Sequence, residues 1–118
     1  MIGAAHRFHG YGSLNGVYRR GLSVRGSMIS LRFAGRDPRR PYRVAVVVSR
    51  KVSKSAVVRN RIRRRIYAAV RQTGVEILPG TDLVFTVFDE QLAELPPVEL
   101  QAAITGLIQK AAARPSAG

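Results

Sequence analysis

Cysteine is absent from these 118 residues, which excludes a disulfide framework and any thiolate metal site. No apolar run approaches the ~20 residues that span a bilayer, so neither a membrane helix nor a partner embedded in a membrane is expected. The N-terminal MIGAAHRFHGYG lacks the long apolar core of a secretory signal, and the expected compartment is the cytoplasm. Acidic residues are scarce and unevenly placed. Residues 1–75 hold eighteen basic side chains against one acid, Asp37, for a net of +17. Residues 76–118 hold Lys110 and Arg114 against Glu76, Asp82, Asp89, Glu90, Glu94 and Glu99, for a net of −4. The overall +13 therefore belongs to the first two thirds of the chain. Such asymmetry points to nucleic acid or an anionic surface as the partner.

An apolar fraction of 46% and a charged fraction of 23% are those of a folded protein, and the length suits one modest core. Arginine dominates the cations, with only Lys51, Lys54 and Lys110 as lysines. Its planar fork matches phosphate oxygens and stacks on bases, where lysine acts as a point charge.

The richest stretch is RKVSKSAVVRNRIRRR, residues 50–65. Eight of its sixteen residues are basic (Arg50, Lys51, Lys54, Arg59, Arg61, Arg63, Arg64 and Arg65) and none is acidic. Val58, Ile62, Ile66 and Ala69 recur at the spacing of one helical face, which predicts a helix from about Ser55 to Gln72, closed by Gly74. With Ile62 pointing inward, Arg61 and Arg63 fall on the flanks, while Asn60, Arg64 and Arg71 point outward with Tyr67 beside them. Arg59 and Arg65 border the apolar stripe, where their stems cover apolar surface and their heads reach water. A merely solvated helix would mix signs to gain i,i+4 pairs. This one has no acid between Asp37 and Glu76, so a polyanion is the expected ligand. No helix-turn-helix or zipper frame is visible, which favours structured or single-stranded RNA over duplex DNA.

Around that helix the pattern is mixed. Residues 1–12 are expected to be a mobile arm, and Ser13 to cap a short helix from Leu14 to about Arg20, with Gly21 as its stop. Residues 28–33 alternate Ile29, Leu31 and Phe33 as a half-buried strand does. Tyr42 to Ser49 is β-branched and nearly continuous, as a central strand covered on both faces would be, and it is expected to form a hairpin with residues 28–33. DLVFTVF, residues 82–88, is another strand. Pro96 and Pro97 open a last helix whose stripe is Leu100, Ile104, Leu107 and Ile108, and residues 114–118 form a frayed tail. One α/β sandwich over residues 13–113 accommodates these elements.

Two other constellations lie outside this helix. His6 and His9 have no acid nearby to complete a metal site, and the glycines around them oppose an ordered helix. Asp82, Asp89, Glu90, Glu94 and Glu99 invite a two-metal nuclease reading, yet no D-x-D or D-x-E cluster occurs among them. Solvated loop and helix-start positions account for them better, and no catalytic or metal-binding protein residue is expected.

The block VSRKVSKSAVVRNRIRRRI, Val48 to Ile66, resembles that of the bacterial ribonuclease P protein subunit. A strand ending in Val48-Ser49 leads to the pair Arg50-Lys51, then to Arg59-Asn60-Arg61 and Ile62-Arg63-Arg64. The order of elements resembles that family over nearly the whole chain. The resemblance implies an α+β fold: a mostly antiparallel sheet with helices packed on it and a left-handed βαβ crossover, like the second domain of a small-subunit ribosomal protein. It implies an accessory role in an endoribonuclease that removes 5′ leaders from precursor tRNA. The chemistry and its Mg²⁺ would then belong to the RNA subunit, with no cofactor bound by the protein alone. Its partners would be ribonuclease P RNA and precursor tRNA, with no obligate protein partner evident. Arg50, Lys51, Lys54, Arg59, Asn60, Arg61, Arg63, Arg64 and Arg65 would contact RNA. Leu14, Tyr18, Arg32 and Phe33 would line the leader cleft, with Arg32 standing where the family usually has an aromatic. A ribosomal protein or RNA chaperone is the alternative that shares the charge without needing the cleft.

Overall fold

The computed structural model describes residues 21–35 and 38–113. The expected arm, first helix and tail, and with them His6, His9, Leu14 and Tyr18, lie outside the described residues. Four strands form a single sheet: β1 (Leu22–Arg25), β2 (Ile29–Gly35), β3 (Arg43–Val47) and β4 (Thr81–Val87). Helix α1 (Ala56–Gln72) joins β3 to β4, and α2 (Pro97–Ala113) ends the described chain after a 3-10 turn at Glu90–Ala93. The spatial order is β1-β2-β4-β3, with β1–β2 and β2–β4 antiparallel and β3–β4 parallel. The expected mostly antiparallel sheet with a βαβ crossover is thus present.

The strand neighbours differ from the expectation in two respects. Residues 28–33 and 42–49 do not pair as a hairpin, because β4 lies between them. The partner of β2 on its other side is β1, four residues whose alternation of Leu22 and Val24 with Ser23 and Arg25 is too short to stand out. Nor is β3 the strand covered on both faces. It lies at an edge, with Val44 and Val46 buried and the residues between them only half covered. The centre belongs to β4, in which Asp82, Leu83, Val84, Phe85 and Val87 are all buried. A strand walled on both faces needs apolar side chains on both, and the run Leu83-Val84-Phe85 supplies them.

One face of the sheet carries the core. Ile29, Leu31 and Phe33 from β2, Val44 and Val46 from β3, and Leu83, Phe85 and Val87 from β4 all belong to it. Both helices bury their stripes in this core: Ile62, Ile66, Ala69 and Val70 from α1, and Leu100, Ile104, Leu107, Ile108 and Ala111 from α2. A polar seam orients the helices where they meet. The Gln101 side-chain amide donates to the Ala69 carbonyl (2.9 Å) and to Thr105 Oγ1 (3.1 Å), and Thr73 and Thr105 share a hydroxyl bond of 3.2 Å.

The ends of α1 follow local chemistry. Ser55 is its N-cap, its hydroxyl accepting the Val58 amide at 3.2 Å. The other end departs from expectation: Thr73, not Gly74, is the C-cap, its amide returning to the Val70 carbonyl. Among the described residues only Gly80 has positive φ, at 79°. There Pro79-Gly80 makes the tight turn, with the Thr81 amide bonded to the Leu78 carbonyl, that feeds β4 into the sheet.

Candidate nucleic-acid interface

The loop from β3 into α1 is tied down before it presents any charge. The Val52 amide bonds to the Ser49 carbonyl at 3.1 Å, and the Ser55 amide to Ser53 Oγ at 3.3 Å, with Ser53 buried. Arg59 then reaches back from the helix, its Nη1 donating to the carbonyls of Ser53 (3.0 Å) and Lys54 (3.1 Å). Arg63 binds the Val48 carbonyl at the end of β3 (3.3 Å) and Asn60 Oδ1 (2.9 Å), which fixes the Asn60 amide. Arg65 points the other way and donates to the carbonyls of Leu92 and Leu95. Bonds from a charged donor are worth more than neutral ones, about 1.5–3 kcal/mol each.

These clamps divide the nine expected RNA-contact residues into two groups. Arg59, Arg63 and Arg65 are half-buried and hold backbone; Arg50, Lys51, Lys54, Asn60, Arg61 and Arg64 are exposed. Arg64 has no hydrogen bond or ion pair among the described residues. Arg61 meets Glu94 at 3.6 Å, but both side chains are largely in water, where such a pair is worth little. The helix orientation read from the periodicity is the one found, with two differences: Tyr67 packs partly against the core, and the heads of Arg59 and Arg65 grip backbone carbonyls where they were expected to reach water. Hydrogen-bond partners of the arginines are not encoded in any spacing, so periodicity does not divide the clamping arginines from the solvent-directed ones.

Strand alternation separates the two described leader-cleft candidates. Phe33 is 8% exposed and belongs to the helix-facing core, so it leaves the candidate surface. Arg32 projects on the opposite face, opposite Ser23 on β1 and Val84 on β4. The same face carries a fully buried carboxylate, Asp82, bound through both oxygens by Arg43 at 2.9 Å and approached by Arg40 at 4.0 Å. Arg25 and Phe88, unremarked in the sequence, also meet on this face, the guanidinium carbon lying 4.8 Å from the ring centroid.

The acids considered for metal chemistry are dispersed. Asp82 is held by arginines, Asp89 accepts the Gln91 amide as the cap of the 3-10 turn, and Glu94 faces Arg61. Among the described residues, no three His, Cys, Asp or Glu side chains gather as metal ligands would. No helix among them is long and apolar enough to cross a membrane.

Sheet, crossover helix and outward arginines together define an α+β RNA-binding domain. The family model described as Ribonuclease P matches residues 4–112. The ribonuclease P protein component of Roseiflexus castenholzii is 40% identical over 95 residues, covering 80% of this chain and 76% of that protein. That of Synechococcus sp. is 36% identical over 115 residues, covering 94% and 85%. The chain belongs to the ribonuclease P protein-component family. Solved structures share the fold at lower identity. The RNase P protein of Staphylococcus aureus superposes with a TM-score of 0.77 at 20% identity, covering 90% of this chain and 94% of that one. That of Thermotoga maritima gives 0.73 at 20%, covering 88% and 96%. The expected family and fold class are both borne out.

Proposed function

We propose that the outward face of α1 and the β3–α1 junction bind the catalytic RNA of ribonuclease P, and that the opposite sheet face holds the 5′ leader of precursor tRNA. The protein thereby assists the cut that yields the mature tRNA 5′ end. The observation that carries this reading is the division of the basic residues on a core-anchored frame. Arg59, Arg63 and Arg65 fasten α1 to its surroundings, which leaves Arg50, Lys51, Lys54, Arg61 and Arg64 directed at solvent with Asn60 among them. A rigid cationic array suffers like-charge repulsion that a ribose-phosphate backbone relieves. The active site and its Mg²⁺ belong to the RNA, and the protein screens RNA–RNA repulsion. The complex works in the cytoplasm, where precursor tRNA is made. Arg32 serves the leader, with Leu14 and Tyr18 from the segment outside the described residues.

Reconstitution tests this. Purified protein, free of RNA, should cleave nothing, yet it should lower the Mg²⁺ concentration at which a bacterial ribonuclease P RNA cuts precursor tRNA. No effect on the ribozyme would favour a ribosomal protein or RNA chaperone. Cleavage by the protein alone would favour a self-contained nuclease.

A further inference from the structure

On the sheet face that carries Arg32, one feature has no duty in the fold's interior. Phe88 follows the last residue of β4 and is 44% exposed, an unusual position for a ring that size. Its amide donates to the Met28 carbonyl at 2.8 Å, so the ladder with the β1–β2 turn continues through it. That turn is tight, closed by the Gly26 amide on the Ile29 carbonyl at 2.8 Å, and a Cβ on Gly26 would come within 3.0 Å of that carbonyl. Both ends of the contact are therefore held by backbone: Arg25 just before the turn, Phe88 beside it.

The register sets the direction. Arg25 faces Ser30, and Ser30 faces Thr86, on the side away from the core. Arg32 faces Ser23 on that same side, two residues from Arg25 along β1, about 7 Å away along the strand. The Asp89 carboxylate keeps its charge and is engaged at the start of the 3-10 turn, where it accepts the Gln91 amide at 2.9 Å.

We infer that Arg25 and Phe88 form a base-stacking step at the exposed end of this sheet face, taking one nucleotide of single-stranded RNA beyond the one met by Arg32. The inference rests on the leader-binding reading above. A planar guanidinium lying on an aromatic ring offers its outer face to a base, and its charge attracts the adjoining phosphate. Stacking tolerates any base but rewards the larger π-surface, so the step supplies a preference for purines without hydrogen-bond readout. It also supplies an aromatic ring on a surface whose β2 position is arginine.

The test uses the full-length protein assembled with ribonuclease P RNA, and precursor tRNAs bearing an oligo(A) leader, an oligo(U) leader or none. Wild-type complex should bind the oligo(A) precursor more tightly than the oligo(U) precursor, and both more tightly than mature tRNA. Phe88→Leu and Arg25→Ala should weaken oligo(A) binding by roughly fivefold or more and narrow the gap between leaders, with mature tRNA unaffected. Arg25→Lys keeps the charge and loses the plane. It should narrow the same gap while preserving the salt dependence, which a general loss of folding or of charge would not do. Variants that retain the full oligo(A) preference would overturn the stacking step and leave the leader reading intact. A wild-type complex that does not distinguish leader-bearing from mature tRNA would overturn both.

Discussion

Arg43 and Asp82 face each other across the parallel β3–β4 register and are joined by two hydrogen bonds of 2.9 Å. The carboxylate is 0% exposed and the arginine side chain 14%, so the pair is nearly dry. Removing Arg43 leaves the buried carboxylate to the more distant Arg40, at 4.0 Å, at a cost of up to about 3–5 kcal/mol. Arg43→Met alone should therefore lower stability in chemical denaturation by an amount of that order. The double replacement Arg43→Met with Asp82→Leu should restore part of it, because an apolar pair carries no desolvation cost. Equal losses in single and double variants would mean the pair is not what stabilises this edge.

The helix arginines should separate by assay. Arg64→Gln should leave thermal stability unchanged and reduce the salt slope of RNA binding by about one unit, as loss of one phosphate contact does. Arg61→Gln should act in the same direction. Intact slopes in both would mean this face does not meet the RNA backbone.

Arg65 should behave in the opposite manner. Its fork is committed to the Leu92 and Leu95 carbonyls, tying α1 to the segment before α2. Arg65→Ala should cost about 2 kcal/mol of stability in denaturant unfolding while leaving the salt slope of the folded protein in place. A changed slope with unchanged stability would place Arg65 among the RNA contacts instead.

Glu94 competes with RNA for Arg61 in an exposed pair. Glu94→Gln should strengthen RNA binding by no more than about fivefold at low salt, the advantage vanishing as salt rises. Weaker binding in this variant would show that the acid supports the interface.

Burial pushes the Tyr42 phenol above its ordinary value of 10.0. The neutral phenol is the form the fold favours, so its contribution is complete below pH 10.0 and is lost as pH rises through the folded value. Ultraviolet titration should show a late-ionising phenol that Tyr42→Phe removes, together with its share of the alkaline loss of stability. An unchanged alkaline profile in Tyr42→Phe would contradict this account.

Much of the helix surface could be read directly from residue order. Val58, Ile62, Ile66 and Ala69 mark one side of α1 because side chains three and four apart share a face, and the arginines between them must then point elsewhere. The alternation in β2 likewise puts Phe33 and Arg32 on opposite faces, which already counts against Phe33 as a cleft residue beside Arg32. Block pattern and charge were enough to indicate an RNA-binding family.

The strand order and the division of labour among the arginines were decided only in three dimensions. Periodicity says which face of an element is apolar, but not which neighbour covers it, so β4 could enter between β2 and β3 without a local sign. Arg43 finds Asp82 39 residues away, Arg63 reaches Val48 across 15, and Arg65 reaches Leu95 across 30. A guanidinium has the same chemistry in every sequence context. Whether it grips a carbonyl of its own chain or is left for a phosphate depends on which backbone ends within reach once the chain has folded.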